Sequence, residues 1–536
     1  METSNLYEQE RLAKLAKLRA LGVDPYGERT DGVRALDVIR KMYQPEMGHD
    51  GGPEVVAAGR VMLKRDMGKL SFLTLRDETG DLQVALDKKR ISERDWQVRD
   101  LIDLGDLLVV TGKLGQTNKG EITIWANSVS MAAKALLPPP AKWEGLSDVE
   151  LRYRQRYVDL WANPEVMKLA RLRIRVIEEI RKYMIGRGFL EVETPMMQIQ
   201  AGGAAARPFV THHNALDIPL FLRIAPELFL KRLLVGGFSK VFEINRNFRN
   251  EGISPRHNPE FTMLEAYEAF GSWETMADLI EGLICHVAET VCGGLRISHH
   301  GGTEGTEKVI NLQRPWRRIS MMDLVAERTG WKFDKRPLQD AEPDIFEALT
   351  RENTAGSEHS DEEIEKISAR AANPQVMREQ LIKMRTYWPF AKTVSADLIR
   401  LKTPAEQLVE VYEKFIEPTL INPCFVTHVP SVIIPLARKN RDDPYFADVY
   451  ELAINGVEIS PGYTELNDPE VQAANFAHQV GDAAEQQKSD EDFLHALRYG
   501  MPPAGGLGMG VDRLLMLLSG AQSIRDVILF PLMRPT

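Results

Sequence analysis

Val241-Phe242-Glu243-Ile244-Asn245 alternates as a β-strand does, and Phe261-Thr262-Met263-Leu264-Glu265-Ala266-Tyr267 reads as its antiparallel return. Between them runs the loop Asn250-Glu251-Gly252-Ile253-Ser254-Pro255-Arg256-His257-Asn258. Arg246, Arg249 and Arg256 converge on this hairpin with a glutamate and a histidine. Taken singly, each is an ordinary surface charge. Focused on one strand–loop–strand they suggest a phosphate clamp, because guanidinium binds phosphate bidentately and stacks on planar rings.

Two further segments share the region beyond Gly145, which reads as long helices mixed with antiparallel strands. Gly505-Gly506-Leu507-Gly508-Met509-Gly510-Val511-Asp512-Arg513 precedes an apolar helix, Leu514–Leu518. Its alternating glycines let backbone approach a ligand closely. The strand–glycines–helix unit of dinucleotide binding, with its later ribose-binding acid, is not apparent, so a Rossmann reading fails. By itself the arginine that opens the helix could serve a nucleotide or a salt bridge. The second segment, Glu451-Leu452-Ala453-Ile454-Asn455-Gly456-Val457-Glu458, carries the Asn-Gly hairpin signal. In that hairpin Ile454 pairs with Val457 and Ala453 with Glu458, and Glu451 shares the face of Ala453. The two carboxylates therefore point to one side and could share a hard cation such as Mg²⁺. The plainer alternative is two acids on a wet sheet face.

The rest of the chain bounds these readings. At 536 residues it exceeds a single hydrophobic core, so two or more domains are expected. With 43% apolar and 27% charged residues it is an ordinary globular composition. No apolar run is long enough to span a membrane, and Met1-Glu2-Thr3-Ser4-Asn5-Leu6 is not the start of a signal peptide. Three cysteines, none in a Cys-x-x-Cys pair, exclude a disulfide framework and argue against a structural zinc; a reducing cytoplasm fits. Leu12, Leu15 and Leu18 recur at helical spacing among Arg11, Lys14, Lys17 and Arg19, until Gly22 and Pro25 end the pattern. That segment is either a docked helix with a solvated face or a basic helix along a phosphate backbone.

From Val55 to Ser130 the pattern turns to short strands: Val55–Lys64, Leu70–Arg76, Asp81–Leu86, Leu107–Leu114 and Glu121–Val129, with one helical segment at Ile91–Ile102. Five short strands and one helix suit a closed OB-type barrel. Leu136-Leu137-Pro138-Pro139-Pro140 then forms a stiff linker. The expected organisation is an N-terminal helical extension over 1–54, an OB-fold β-barrel over 55–135, a linker over 136–147, and an α+β domain built on an antiparallel sheet over 148–536. A polar stretch near 335–404, containing Ser357-Glu358-His359-Ser360-Asp361-Glu362-Glu363, reads as a surface helical insertion. The net charge is −10, and Glu54 to Lys134 has 13 basic against 12 acidic residues. Any RNA binding must then rest on local patches and stacking rather than bulk attraction.

Arg187-Gly188-Phe189-Leu190-Glu191-Val192-Glu193-Thr194-Pro195 resembles motif 1 of class II aminoacyl-tRNA synthetases. The hairpin at Phe248-Arg249-Asn250-Glu251 resembles motif 2, and Gly508 to Arg513 resembles motif 3, all in the family's order. The resemblance to bacterial-type lysyl-tRNA synthetases extends from the barrel to the C-terminus. It is closest at Leu151-Arg152-Tyr153-Arg154-Gln155-Arg156-Tyr157, Gly202 to Asn214, and Arg223-Ile224-Ala225-Pro226-Glu227 through Tyr267.

The resemblance implies ATP-dependent formation of lysyl-adenylate and its transfer to the 3′ end of tRNA(Lys), with Mg²⁺, in a cytoplasmic homodimer. Carried over residue by residue, it makes Arg249 and Arg513 catalytic. Glu251, His257, Phe261 and Gly510 join them at ATP, with Phe261 and Arg513 sandwiching adenine. Glu451 and Glu458 hold the metal. Gly203 and Glu227 face the α-amino group, and Glu265, Tyr267, Tyr463, Glu465 and Gly508 complete the lysine pocket. In the barrel, Phe72 stacks an anticodon base while Arg65 and Gln83 bond its edges, although on pattern alone Phe72 also reads as a core residue. The sequence departs from the family at Pro461, where asparagine is usual, at Tyr463, and at Val449, Val457 and Ile434. An asparagine at 461 is expected to help hold the substrate carboxylate, and proline cannot. Two other readings remain: a related ligase for a lysine analogue or another amino acid, and a non-catalytic RNA-binding paralogue.

Overall fold

A computed structural model describes residues 2–140, 146–300, 307–350, 399–477 and 489–535. The N-terminal unit is a five-stranded barrel: β1 (Glu54–Met67), β2 (Leu70–Asp77), β3 (Gly80–Asp87), β4 (Leu107–Gln116) and β5 (Ile122–Ala133). The order is β1-β2-β3-β5-β4, closed by β4 pairing back to β1, with β3 and β5 parallel. Alternation fixes the two faces: Leu73, Leu75, Leu82, Val84, Val110 and Ile124 fill the interior, while Phe72, Thr74 and Gln83 turn outward and stay half-exposed. Phe72 is thus no core residue. The expected helix forms at Glu93–Leu101, its start capped by the Ser92 hydroxyl, which accepts from the Asp95 N–H at 3.1 Å.

The basic N-terminal segment is a docked helix, Glu2–Ala20. Leu15 and Leu18 are buried, and two of its charges turn inward. Arg11 donates to the carbonyls of Ala135 and Leu104, and Lys14 bonds Asp103 at 2.5 Å. Lys17 and Arg19 keep the exposed face.

The compact unit built on the barrel continues past the proline linker to Arg171. Helix Arg156–Ala162 explains this. Arg60 lies over the Trp161 ring at 4.7 Å, and Arg76 donates to the Trp161 carbonyl at 3.1 Å. The linker residues 141–145 lie outside the described residues.

The second unit is organised on an eight-stranded sheet: β6 (Leu190–Glu191), β7 (Lys240–Phe248), β8 (Glu260–Ala269), β9 (Arg317–Ser320), β10 (Cys424–Thr427), β11 (Val449–Ile454), β12 (Val457–Thr464) and β13 (Ala504–Gly510). Their order is β9-β10-β11-β12-β13-β8-β7-β6. The five central pairings are antiparallel, and only the two edge pairs are parallel. Helix Trp273–Cys292 buries Met276, Ile280, Leu283 and Ile284.

The expected surface insertion is different at its two ends. Leu338, Ile399 and Leu408 are fully buried in one core with Trp331 and Tyr412, so the flanks are apolar anchors rather than surface. Ser357 to Glu363 lies outside the described residues.

Candidate active site

Strand register gathers the candidate side chains. Across β12, β13 and β8, Tyr463 pairs with Gly506 and Gly506 with Tyr267; one step further, Gly508 pairs with Glu265. A Cβ on Gly506 would lie 2.0 Å from Glu465 Oε1 and 2.5 Å from the Tyr267 ring, so only glycine leaves room for both. Gly203 has φ +86° and packs against Glu227, where a Cβ would meet the Glu227 Cβ at 2.9 Å.

These contacts enclose a strongly acidic pocket. Glu227, Glu265 and Glu465 are buried, with Tyr267 among them. Among the described residues Lys231 pairs with two of them: on helix Glu227–Val235 it is 0% exposed and bonds Glu227 at 2.7 Å and Glu465 more closely still. Burial disfavours its charge, but the two glutamates outweigh that and hold its pKa above the usual value. Burial, reinforced by Glu227, raises the Glu265 carboxyl to about 8, against a weak 3.4 Å bond from Asn247 Nδ2. Burial raises Glu465 to about 7 even with Lys231 opposing. Three carboxylates against one lysine leave two negative charges in excess when all are ionised. Sequence reading passed over Lys231; its i,i+4 spacing from Glu227 was the available signal, and it looks like a surface pair.

Beside this pocket a cavity is lined by Arg249, Glu251, His257, Phe261, Glu458, Pro461, Gly510 and Arg513. Arg249 sits over the Phe261 ring at 5.1 Å, and its buried Nε has no hydrogen-bond partner among the described residues. Burial draws its pKa down, while Glu251, Glu265 and Glu458 oppose. Of the three arginines singled out on the hairpin, Arg249 and Arg256 line the cavity, and the Arg249 guanidinium also interacts with Glu265 of the acidic pocket. Arg246 pairs loosely with Glu260 at 3.4 Å, and Arg256 donates to the Gly456 carbonyl while also reaching the rim. Arg513 donates to the Glu458 carbonyl at 2.8 Å and its carboxylate at 3.3 Å. His257 is pushed below its usual range by burial, then by Arg513 and Arg249. Asp512, absent from the expected site, fixes the glycine strand's helix by accepting from the Thr262 N–H at 2.7 Å and pairing with Arg173.

The Asn-Gly hairpin forms as expected, with Asn455 and Gly456 at φ +58° and +72°. Ala453 faces Glu458 and Ile454 faces Val457, and a bulge beyond them shifts Glu451 opposite Pro461. Burial, then Glu458, Glu413 and Glu417, pushes the Glu451 carboxyl far above its ordinary value. Glu451 therefore lies within electrostatic reach of Glu458, whose side chain stays 37% exposed.

On the barrel, Arg65 pairs across to Phe72, and Gln83 Nε2 donates to Thr123 Oγ1 at 2.8 Å. All three expected RNA-reading residues share the outer face.

An antiparallel sheet carrying an arginine hairpin, a glycine strand that opens a helix, and a separate OB barrel are the parts of a class II aminoacyl-tRNA synthetase. Residues 148–534 match the family of tRNA synthetases class II (D, K and N), and residues 55–132 match the OB-fold nucleic acid binding domain. The chain is 45% identical over its full length to the whole lysine–tRNA ligase of Carboxydothermus hydrogenoformans. It is 44% identical to that of Syntrophomonas wolfei (98% of this chain, 96% of the relative) and 42% identical to that of Bacillus subtilis (98% and 97%). The chain belongs to the class II tRNA synthetases of the D, K and N family, and is a tRNA-aminoacylating ligase that uses ATP.

Proposed function

We propose that this enzyme activates lysine and transfers it to tRNA(Lys). The charge balance of the pocket carries the reading. Once its carboxyls are ionised, the two uncompensated negative charges match the two ammonium groups of lysine, while the substrate carboxylate is left for Arg249. A neutral side chain supplies one ammonium and leaves a buried charge unpaired, which costs roughly thirty-fold to thousands-fold in affinity. Aspartate or asparagine, the other amino acids of the family's name, meets carboxylate where it needs a cation or an amide donor. Full-length relatives named lysine–tRNA ligases support the same assignment.

In this reading Glu227 and Gly203 receive the α-ammonium, and Glu465 with Tyr267 the ε-ammonium. Tyr463, Gly508 and Glu265 close the pocket. Arg249 brings the carboxylate to the α-phosphate, Phe261 and Arg513 sandwich adenine, and Glu251, His257 and Gly510 complete the nucleotide site. No side chain forms a covalent intermediate; positioning alone is worth ~7–11 kcal/mol. Glu451 and Glu458 fit Mg²⁺, since their repulsion is what a cation relieves. Among the described residues no group of three or more His, Cys, Asp or Glu is arranged to hold a metal ion. When bound, Mg²⁺ supplies charge neutralisation for the departing pyrophosphate.

Calorimetry tests the charge balance. Both carboxyls lie above the ordinary 4.5, so the free pocket still holds protons near neutrality, releasing them around 7 and 8. Two bound ammonium groups favour the ionised forms. Lysine binding at about pH 6.5 is expected to expel protons, seen as a heat that varies with the buffer's ionisation enthalpy, and to tighten as pH rises toward about 8. Stability has the opposite sign: in the free protein these raised groups favour folding below 4.5 and lose that advantage as pH passes 7 and 8. Lysine binding without proton release contradicts the reading.

The same reading includes a cytoplasmic homodimer. No helix among the described residues is long and apolar enough to cross a membrane. Helix Pro164–Gly186 buries Val176, Ile180 and Met184 but exposes Ile174 and Ile185. Strand β6 is a sheet edge with Leu190 exposed, near in sequence to exposed Met197 and Ile199. An apolar helix face and an open strand edge suit a self-complementary interface. Light scattering is expected to give a dimer at micromolar concentration; a stable monomer contradicts it.

A further inference from the structure

The outer face of the barrel holds an aromatic arrangement that the anticodon-reading residues do not account for. Phe72 pairs across strands with Ala85, and Ala85 with Trp125, so one small residue separates two aromatic side chains. Their rings meet edge-on at 6.5 Å. The row ends in exposed cations, Arg65 beside Phe72 and Lys113 beside Trp125. Trp125 is only 5% exposed because His49 lies stacked on it, ring centroids 3.9 Å apart, and the Trp125 Nε1 is buried with no hydrogen-bond partner among the described residues. The His49 side chain itself is 52% exposed. One face of the imidazole therefore rests on indole and the other side is open.

The backbone holds His49 there. Gln116 N–H donates to the Gly48 carbonyl at 2.9 Å, and Gly52 N–H donates to the Leu114 carbonyl at 3.0 Å. Arg90 bonds Asp50 at 2.8 Å and lies 6.0 Å from the Trp125 ring centre. Gly115 packs so tightly that a Cβ would lie 1.9 Å from the His49 carbonyl oxygen. An exposed ring mounted on a second ring and pinned by strand hydrogen bonds is preorganised, so binding need not order it.

We propose that His49, mounted on Trp125, is a second base-stacking station beside Phe72, so that the barrel holds two neighbouring unpaired bases of the anticodon loop. The proposal rests on the reading of this barrel as the anticodon-binding domain. Unpaired RNA bases are held by stacking on flat side chains. A nearly neutral barrel has little other means of binding, and Arg65, Arg90 and Lys113 stand where flanking phosphates would pass. Sequence inspection could not find the station, because His49 lies in the extension before β1 and reaches Trp125 only through the fold.

The test uses the full-length protein and a hairpin RNA with a uracil-rich anticodon loop. His49→Ala is expected to weaken hairpin binding, and to raise KM for whole tRNA, by roughly ten-fold, the scale of one stacked base. The slope of log Kd against log salt should not change, since no phosphate contact is removed. His49→Phe, which keeps a flat ring, should bind as wild type. Wild-type binding by His49→Ala while Phe72→Ala binds weakly overturns the second station and leaves the anticodon reading standing. Wild-type binding by both variants overturns the anticodon reading as well. Weak binding by both His49→Ala and His49→Phe shows a polar contact and overturns stacking.

Discussion

Glu465→Gln is expected to lower kcat/KM for lysine in ATP–pyrophosphate exchange by ~2–5 kcal/mol, as removing one member of a buried charge pair does. The substitution keeps size and shape and removes only the charge proposed to meet the ε-ammonium. The fold should survive it, because Lys231 retains Glu227 at 2.7 Å. Removing Glu465's charge cuts the pocket's excess from two negative charges to one, so lysine then brings an ammonium for which no carboxylate remains. Norleucine, with the same chain length and no terminal amine, should lose nothing from the substitution. Unchanged lysine kinetics, or equal losses for lysine and norleucine, contradict the role given to Glu465.

Arg249→Lys is expected to reduce adenylate formation by ~3–4 kcal/mol, the scale of removing a preorganised donor from developing charge. The positive charge remains; what is lost is the planar fork. Arg249 stacks over Phe261 while its charge senses Glu265 on the proposed amino-acid side and Glu251 and Glu458 on the proposed nucleotide side. A guanidinium can reach a carboxylate and a phosphate oxygen together, whereas a lysine ammonium is a point charge on a flexible stem. Pro461 makes the demand heavier, since the strand position opposite Glu451 offers no amide donor for the substrate carboxylate. Single-turnover formation of the adenylate measures the effect. Full activity in Arg249→Lys contradicts a bridging role.

Much of the architecture was legible because it follows local rules. The alternation of Leu73 and Leu75 with Phe72 and Thr74 marked both faces of a barrel strand, and Asn455-Gly456 announced the turn that brings Glu451 toward Glu458. What escaped sequence reading depends on contacts between distant segments. Lys231 lies four residues after Glu227 on an amphipathic helix, yet its burial against Glu465 comes from packing that helix beside the end of β12. Gly506 is one glycine among several, and only the approach of Glu465 and Tyr267 makes it irreplaceable. The insertion's flanks looked polar on average, but Leu338 and Ile399 are single apolar anchors that a composition window dilutes. Arg11 and Lys14 read equally well as solvated or phosphate-facing charges until the Asp103 carboxylate and the Leu104 and Ala135 carbonyls supplied their partners.

Substrate identity is the point at which fold and family leave a choice among amino acids and the pocket makes it. ATP–pyrophosphate exchange measured with each of the standard amino acids in turn tests it most directly. The charge balance around Glu227, Lys231, Glu265 and Glu465 predicts that lysine alone supports rapid exchange. Exchange with a neutral or acidic amino acid at a rate matching that of lysine would contradict it.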